Sequence, residues 1–426
     1  MSPGGARAAL WHGAAAFGVL LVLGEVVALL RAAGPLDPTA GAVLRAGALA
    51  PSFVHRVPVE MLLVDASGPG GLFGGAVEVG FTVRVALLLA TAGAGWLLVR
   101  GGRAAGGPLG GPLVAAPYAA LSVASALLAD GSDPAILLGA GFADPGQATA
   151  HPSLWWSALA PGAIALACGV AGGLASSRDA ARSVWAAAAG AWRMSWMLAA
   201  GGTAGILVVV ALHPNATRTF LDSAGARGWA GAAAVLLVTA LLLPNAGIGA
   251  AVAAMGVPIE LRAGESTCVL ITLGEPTCGE VSLDVAPGYL LFVVVPLAAT
   301  LSGGWWAARR RGSSGAAAAA AAGAAAGALF APIVLALAYL ASVGYRFAGP
   351  LGGALGESGV ALGPPLVPTF LAALAWGVVG GVAGGLAAHR LGRESGPGDG
   401  PGPNESPGSC YAAGGRAPAW LSWKRR

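Results

Sequence analysis

The sequence predicts an all-α transmembrane fold, a polytopic helical bundle of about eight spans plus one re-entrant hairpin. Three observations carry this. Hydrophobic residues make up 56% of the 426 residues and charged ones only 10%, against about 25% charged in a soluble domain. The mean hydropathy is +0.74. Apolar runs of about twenty residues, the length a helix needs to cross hydrocarbon, recur along the chain.

The first run is Ala8–Leu30, preceded by Arg7 and followed by no small-residue cleavage signal, so it reads as a retained anchor. The others are Phe81–Val99, Pro108–Ala129, Leu154–Ala175, Met194–Leu212, Trp229–Met255, Tyr289–Ala307, Ala316–Tyr345 and Val367–Ala388. Together they form a membrane domain over residues 1–390. The Gly/Pro/Ser-rich stretch 391–426 reads as a disordered cytoplasmic tail ending in Trp420, Trp423, Lys424, Arg425 and Arg426. No repeat between the two halves is evident.

Arginines set the orientation. Arg100 and Arg103, then Arg178, Arg182 and Arg193, then Arg309–Arg311, and finally Arg390 and Arg393 beside His389 mark cytoplasmic loops. The segments 32–80, 130–153, 213–227, 256–287 and 346–366 then face outward, and both termini lie inside. One crossing breaks this count. A single span over Trp229–Met255 would put the acidic segment 256–287 inside, while the Arg309–Arg311 cluster requires it outside. Pro244 removes a backbone donor, and Gly247 and Gly249 loosen the chain around it. A re-entrant hairpin split into Trp229–Leu243 and Ile248–Met255 restores the parity, the alternative being one kinked span.

Ionisable groups inside spans are costly and are therefore candidate ligand-binding residues. Glu25 lies in the outer half of the first span and Arg84 near the outer end of the second, where the two could pair. Pro244 and Asn245 mark the broken helix, a place where carriers build substrate sites. Cys268 and Cys278, in an outer loop, are disulfide candidates. A β-hairpin over Cys268–Leu273 and Glu280–Val285 is the competing reading, because its register would separate the two sulfurs. Cys168 reads as a small buried hydrophobe, and His12 as an interfacial residue.

Gly377, Gly381 and Gly385 line one face of the last span, a surface suited to close packing against helices of other membrane proteins. The tryptophans Trp11, Trp155, Trp156, Trp229, Trp305 and Trp306 fall at span ends, as an aromatic belt would. The high glycine count, 70, and the single lysine also fit a GC-rich coding sequence. The net charge of +4 resides in short loops and points to membrane lipids, not nucleic acid. No zinc spacing, Walker loop, H-E-x-x-H or G-x-S-x-G motif is present, so neither a metal, a cofactor nor an enzymatic activity is expected.

The Leu243-Pro244-Asn245 break and the Arg100–Arg103 loop resemble the PerM-like and streptophobe-type membrane proteins of high-GC bacteria. Those families tend to carry Gly-Pro-Gly after the break, whereas this chain has Gly256-Val257-Pro258. The resemblance implies a cell-envelope protein of the cytoplasmic membrane, linked to division or wall stress. Two functions follow from the sequence. One is a non-enzymatic scaffold for other membrane proteins. The other is a small-molecule permease with its site at the Pro244 break.

Overall fold

The computed structural model describes residues 2–33, 38–65, 77–138, 148–176, 182–212, 214–215, 228–263, 266–271, 292–313, 315–348 and 359–394. Its helices are α1 (Pro3–Ala32), α2 (Ala40–Val54), α3 (Leu88–Ala105), α4 (Gly110–Ala129), α5 (Ala135–Leu138), α6 (Leu154–Ser176), α7 (Arg182–Leu212), α8 (Gly228–Ala254), α9 (Val294–Arg311), α10 (Ala316–Ala341) and α11 (Leu366–Glu394). Seven of them are long and apolar enough to cross a bilayer. The chain is a multi-pass membrane protein. Its packing is inverted relative to a water-soluble bundle: the buried positions of α1 include Ala9, Gly13, Ala16 and Gly24, while Trp11, Val22 and Leu29 point outward. Large apolar side chains face lipid and small ones let the helices meet.

Several boundaries differ from the sequence reading. Residues 81–84, taken as the start of the second span, belong to a strand, and the helix begins at Leu88. The last helix runs to Glu394, past the expected start of the tail at Leu391. The expected break at Pro244 is absent: α8 is one helix of 27 residues through the proline. α2, α4, α6 and α10 also continue through internal prolines, namely Pro51, Pro117, Pro161 and Pro332. Packed neighbours and serine or threonine side chains make such prolines tolerable in a membrane.

The segments read as external loops build one antiparallel sheet. Its strands are β1 (Val59–Asp65), β2 (Val77–Arg84), β3 (Ala148–Pro152), β4 (Ile259–Ala263), β5 (Ser266–Ile271), β6 (Val343–Ala348) and β7 (Gly359–Gly363). Their order is β3-β1-β2-β6-β7-β4-β5. Cys268 lies on β5 opposite Leu261, so β5 forms a hairpin with β4. Cys278 and Glu280–Val285 fall outside the described residues, and with them both the disulfide and the competing hairpin.

The order of elements reveals a tandem duplication that the sequence reading missed. α1, α2, β1, β2, α3, α4, β3 and α6 are followed by α7, α8, β4, β5, α9, α10, β7 and α11 in the same succession, except that the short α5 precedes β3 where β6 precedes β7. Contacts repeat residue for residue. A Cβ on Gly24 of α1 would strike the Gly47 carbonyl of α2, and one on Gly202 of α7 would strike that of Gly247 on α8. Gly102 meets Gly169, and Gly304 meets Gly381. Gly172 meets Val99 and Arg103, while Gly384 meets Leu301 and Trp305. The Ser157 hydroxyl donates to the Ser153 carbonyl four residues back, and Thr369 does the same to Pro365.

The sheet repeats in register as well. Glu60 faces His151 and Met61 faces Ala150, as Glu260 faces Gly363 and Leu261 faces Leu362. In retrospect the sequence carries one clear trace: GVAGGLASSR at 169–178 against GVAGGLAAHR at 381–390.

The second helix of each repeat ends inside the bundle. The chain turns at Arg56 (φ 58) in the first repeat and at Gly256 (φ 91) in the second. Both turns close with the same pair of bonds. Arg56 N–H donates to Phe53 and Val57 N–H to Ser52, while Gly256 N–H donates to Ala253 and Val257 N–H to Val252. This left-handed closure satisfies carbonyls at the helix end that would otherwise be stranded away from water. Val57-Pro58 and Val257-Pro258 then lead back into β1 and β4.

Because backbone touches backbone at Gly323 and Gly381, any side chain there must force α10 and α11 apart. Gly323→Ala is expected to cost ~1–3 kcal/mol, the range for overpacking. Its counterpart Gly111→Ala, which would meet Val170 and Leu166 side-chain atoms, should cost less because side chains can yield. Thermal melts of the detergent-solubilised variants compare the two.

Candidate functional site

The residues singled out from sequence do not converge. Glu25 lies on α1 with its carboxylate packed over Gly47 of α2, and its Oε1 is buried without a hydrogen-bond partner. Arg84 is the last residue of β2, exposed, with its backbone paired to Gly344 of β6. The expected Glu25–Arg84 pair is not formed, because Arg84 belongs to the sheet and not to a span. Among the described residues the ion pairs are His151–Asp130 at 2.7 Å and Arg262–Glu260 at 2.6 Å.

Asn245 performs a different task from the one expected. It is buried, and both ends of its amide are engaged by main chain: Oδ1 accepts from the Leu88 N–H at 3.2 Å, and Nδ2 donates to the Ala86 carbonyl at 2.5 Å. Residue Leu87, which precedes α3, offers that helix no side-chain cap. A side chain of the second repeat therefore supplies a cap to a helix of the first. Arg56 makes a tie of the same kind: it donates to Ser342 Oγ at 2.9 Å and stacks 4.0 Å over the Tyr339 ring, both at the end of α10. Arg56 tolerates its left-handed backbone, which costs a non-glycine residue free energy, while bridging the two repeats.

The glycine face of α11 is also spent internally. Gly377, Gly381 and Gly385 press on Gly327, Gly323 and Ala319 of α10, so this face is not open to other proteins, contrary to the sequence reading.

What the structure does bring together is a polar core in the first repeat. His55, 1% exposed, sits at the α2 turn, and its Nε2 lies 2.7 Å from the Tyr118 hydroxyl of α4. Phe17 of α1 packs edge-on against the Tyr118 ring. Thr91 Oγ1 donates to the Val54 carbonyl at 2.8 Å, and Ser125 Oγ to the Ala48 carbonyl at 2.8 Å. Ser122 bonds back to the Tyr118 carbonyl within α4. His55 Nδ1 is buried without a partner. Two neighbouring helices, α3 and α4, thus grip α2 through hydrogen bonds. Among the described residues no group of three His, Cys, Asp or Glu side chains is placed to hold a metal.

The second repeat holds apolar residues at every equivalent position. Ser52, His55, Thr91, Tyr118, Ser122 and Ser125 correspond to Val252, Met255, Val293, Phe330, Val334 and Leu337. Met255, Phe330 and Val334 share one hydrophobic core. Helix length explains the difference. α2 has 15 residues and α8 has 27, so the shorter insert has less surface to bury and is held by directional bonds instead. Sequence reading passed over His55 because it sits in a segment taken for a loop. The parallel strings Val57-Pro58-Val59-Glu60 and Val257-Pro258-Ile259-Glu260 are the signal that could have located it.

No protein-family model matches the chain, nor does any curated protein or solved structure.

Two outcomes follow. Tyr118→Phe alone or His55→Met alone leaves a buried polar partner unpaired and should cost about 1–3 kcal/mol. The double variant, which installs the pair used by the second repeat, should recover most of that loss in a double-mutant cycle by thermal melting. Asn245→Ala strands the Leu88 N–H and the Ala86 carbonyl and should destabilise by about 1–3 kcal/mol. Asn245→Asp, which keeps only the acceptor, should be no better, and melting curves of the two variants check this.

Proposed function

We propose that this protein is a non-transporting scaffold of the cell envelope, anchored in the cytoplasmic membrane and presenting its sheet on the outer side. In this reading α1, α3, α4, α6, α7, α9, α10 and α11 cross the bilayer. α2 and α8 enter from the sheet side and turn back at Arg56 and Gly256. Each repeat then makes an even number of crossings, so the repeats run parallel and both termini are cytoplasmic. The distribution of arginine supports this orientation: Arg100 and Arg103 in the last turns of α3 and Arg309–Arg311 in the last turn of α9 lie at helix ends opposite the sheet. It also answers the parity conflict of the acidic 256–287 segment, since α8 needs no second half to return the chain outward.

The observation that carries the scaffold reading is the pairing of β2 with β6. Carriers work by rocking one repeat against the other around a central site. Here one continuous sheet joins the repeats on the outer side, and Asn245 and Arg56 tie them below it. Opening an outer gate between the repeats would break the strand pairing and both ties. The permease alternative also relied on a broken helix at Pro244, and α8 is continuous there. The resemblance to PerM-like proteins agrees with an envelope role.

The test is a lock across the strand pair. Thr82 and Arg346 are register partners. A Thr82→Cys/Arg346→Cys protein, oxidised in place, should complement a deletion strain as well as either single variant does. Loss of complementation on oxidation, with recovery on reduction, would show that the repeats must separate and would sink the scaffold reading.

A further inference from the structure

Opposite the sheet, the C-terminal turns of α9 and the adjoining stretch of α7 around Arg193 carry an aromatic-basic cluster confined to the second repeat. On α9, Trp305 and Trp306 are followed one turn later by Arg309 and Arg310. Arg309 stacks 4.7 Å from the Trp305 ring centre, and Arg310 stacks 5.1 Å from that of Trp306. Arg193 of α7 reaches the same Trp306 ring at 4.9 Å. Two guanidiniums from different helices therefore share one indole, and a third lies beside them. All three arginines are exposed, and neither ion pair among the described residues involves them. With no carboxylate paired to them among the described residues, these like charges are held by the rings but not neutralised.

Position at a helix end does not by itself produce this cluster. In the duplicated frame Arg193, Trp305 and Trp306 correspond to Ala15, Arg103 and Ala104, whereas Arg309 and Arg310 have no helical counterpart, because α3 ends at Ala105 and α9 continues to Arg311. The first repeat, whose α3 stops about one turn earlier, makes one stacked pair, Arg100 on Trp96 at 3.8 Å. The surroundings of the second-repeat cluster are those of a lipid. Trp192 and Trp196 flank Arg193 on α7 and are 66% and 62% exposed, and Trp196 lies further along the helix toward the sheet. The surface thus passes from three planar cations to an outward apolar face over about one helical turn.

We propose that Arg193, Arg309 and Arg310 bind the phosphate of an anionic phospholipid whose acyl chains run along the α7 face past Trp196. Planar guanidiniums match phosphate oxygens in pairs, and stacking on the indoles pre-orients them. A zwitterionic lipid carries an ammonium that three unpaired cations would repel. This proposal requires only that the helices span a bilayer, and it is independent of whether the protein is a scaffold or a carrier.

The experiment is native mass spectrometry of the full chain released from nanodiscs that contain phosphatidylcholine and phosphatidylglycerol. The expected result is a retained phosphatidylglycerol adduct, with phosphatidylcholine lost readily. Arg193→Gln/Arg310→Gln should weaken that retention roughly tenfold or more. Arg100→Gln/Arg103→Gln, which removes the same charge from the first repeat, should leave it intact. Excess free glycerol phosphate should not displace the adduct if the site holds a lipid. Equal retention of both lipids, equal loss in the two double variants, or displacement by glycerol phosphate would each overturn the proposal. All four arginines are exposed or at the surface-facing end of a helix, and melting curves of the variants confirm that folding is unaffected.

Discussion

Helices inside a membrane gain nothing from hiding apolar surface, because lipid is as apolar as leucine. This fold rests on what is left, the direct approach of one backbone to another. At Gly102 and Gly169, at Gly304 and Gly381, and at Gly327 and Gly377 there is no room for a Cβ, and dispersion between main chains does the holding. These contacts dictate much else. They fix where α3 crosses α6 and where α9 crosses α11, and so place the helix ends from which the strands of the sheet arise. They also give the bundle its composition, with alanine and glycine prominent inside and tryptophan outside.

On that frame the two repeats have diverged in how they hold their inserted helix. The second buries a long α8 among apolar side chains. The first grips a short α2 with Tyr118, Thr91 and Ser125. Each arrangement satisfies the same demand, that a helix end inside the bundle must not leave carbonyls bare. Each repeat also lends the other a part: Asn245 caps α3, and Arg56 reaches Tyr339 and Ser342. Neither half is complete without its twin.

The helices were legible because a twenty-residue apolar run has few other readings. The irregularity read at Pro244 is absent, since the proline is absorbed in a packed, continuous helix and the left-handed turn comes at Gly256 instead. The sheet was hidden because its strands are short, lie far apart in the chain and gain their meaning only from pairing. The duplication was hidden because the matching positions are small residues and the loops between them differ in length, which destroys any fixed period. His55 could not be found without it, as a lone histidine in an apparent loop carries no signal.

The strand that joins the repeats arrives late in synthesis. β2 ends at Arg84, whereas its neighbour β6 begins only at Val343, after nearly the whole of the second repeat. Its counterpart in the first repeat is no more than the bridge of Ser132 to Ala150, which lies on the far side of β1 and cannot cover that edge. Until α10 has been inserted, a growing chain therefore displays a row of unpaired main-chain donors and acceptors. A neighbouring nascent chain could supply its own β6 to that edge. The edge that welds one finished molecule together is thus open to exchange between chains until β6 has paired with it.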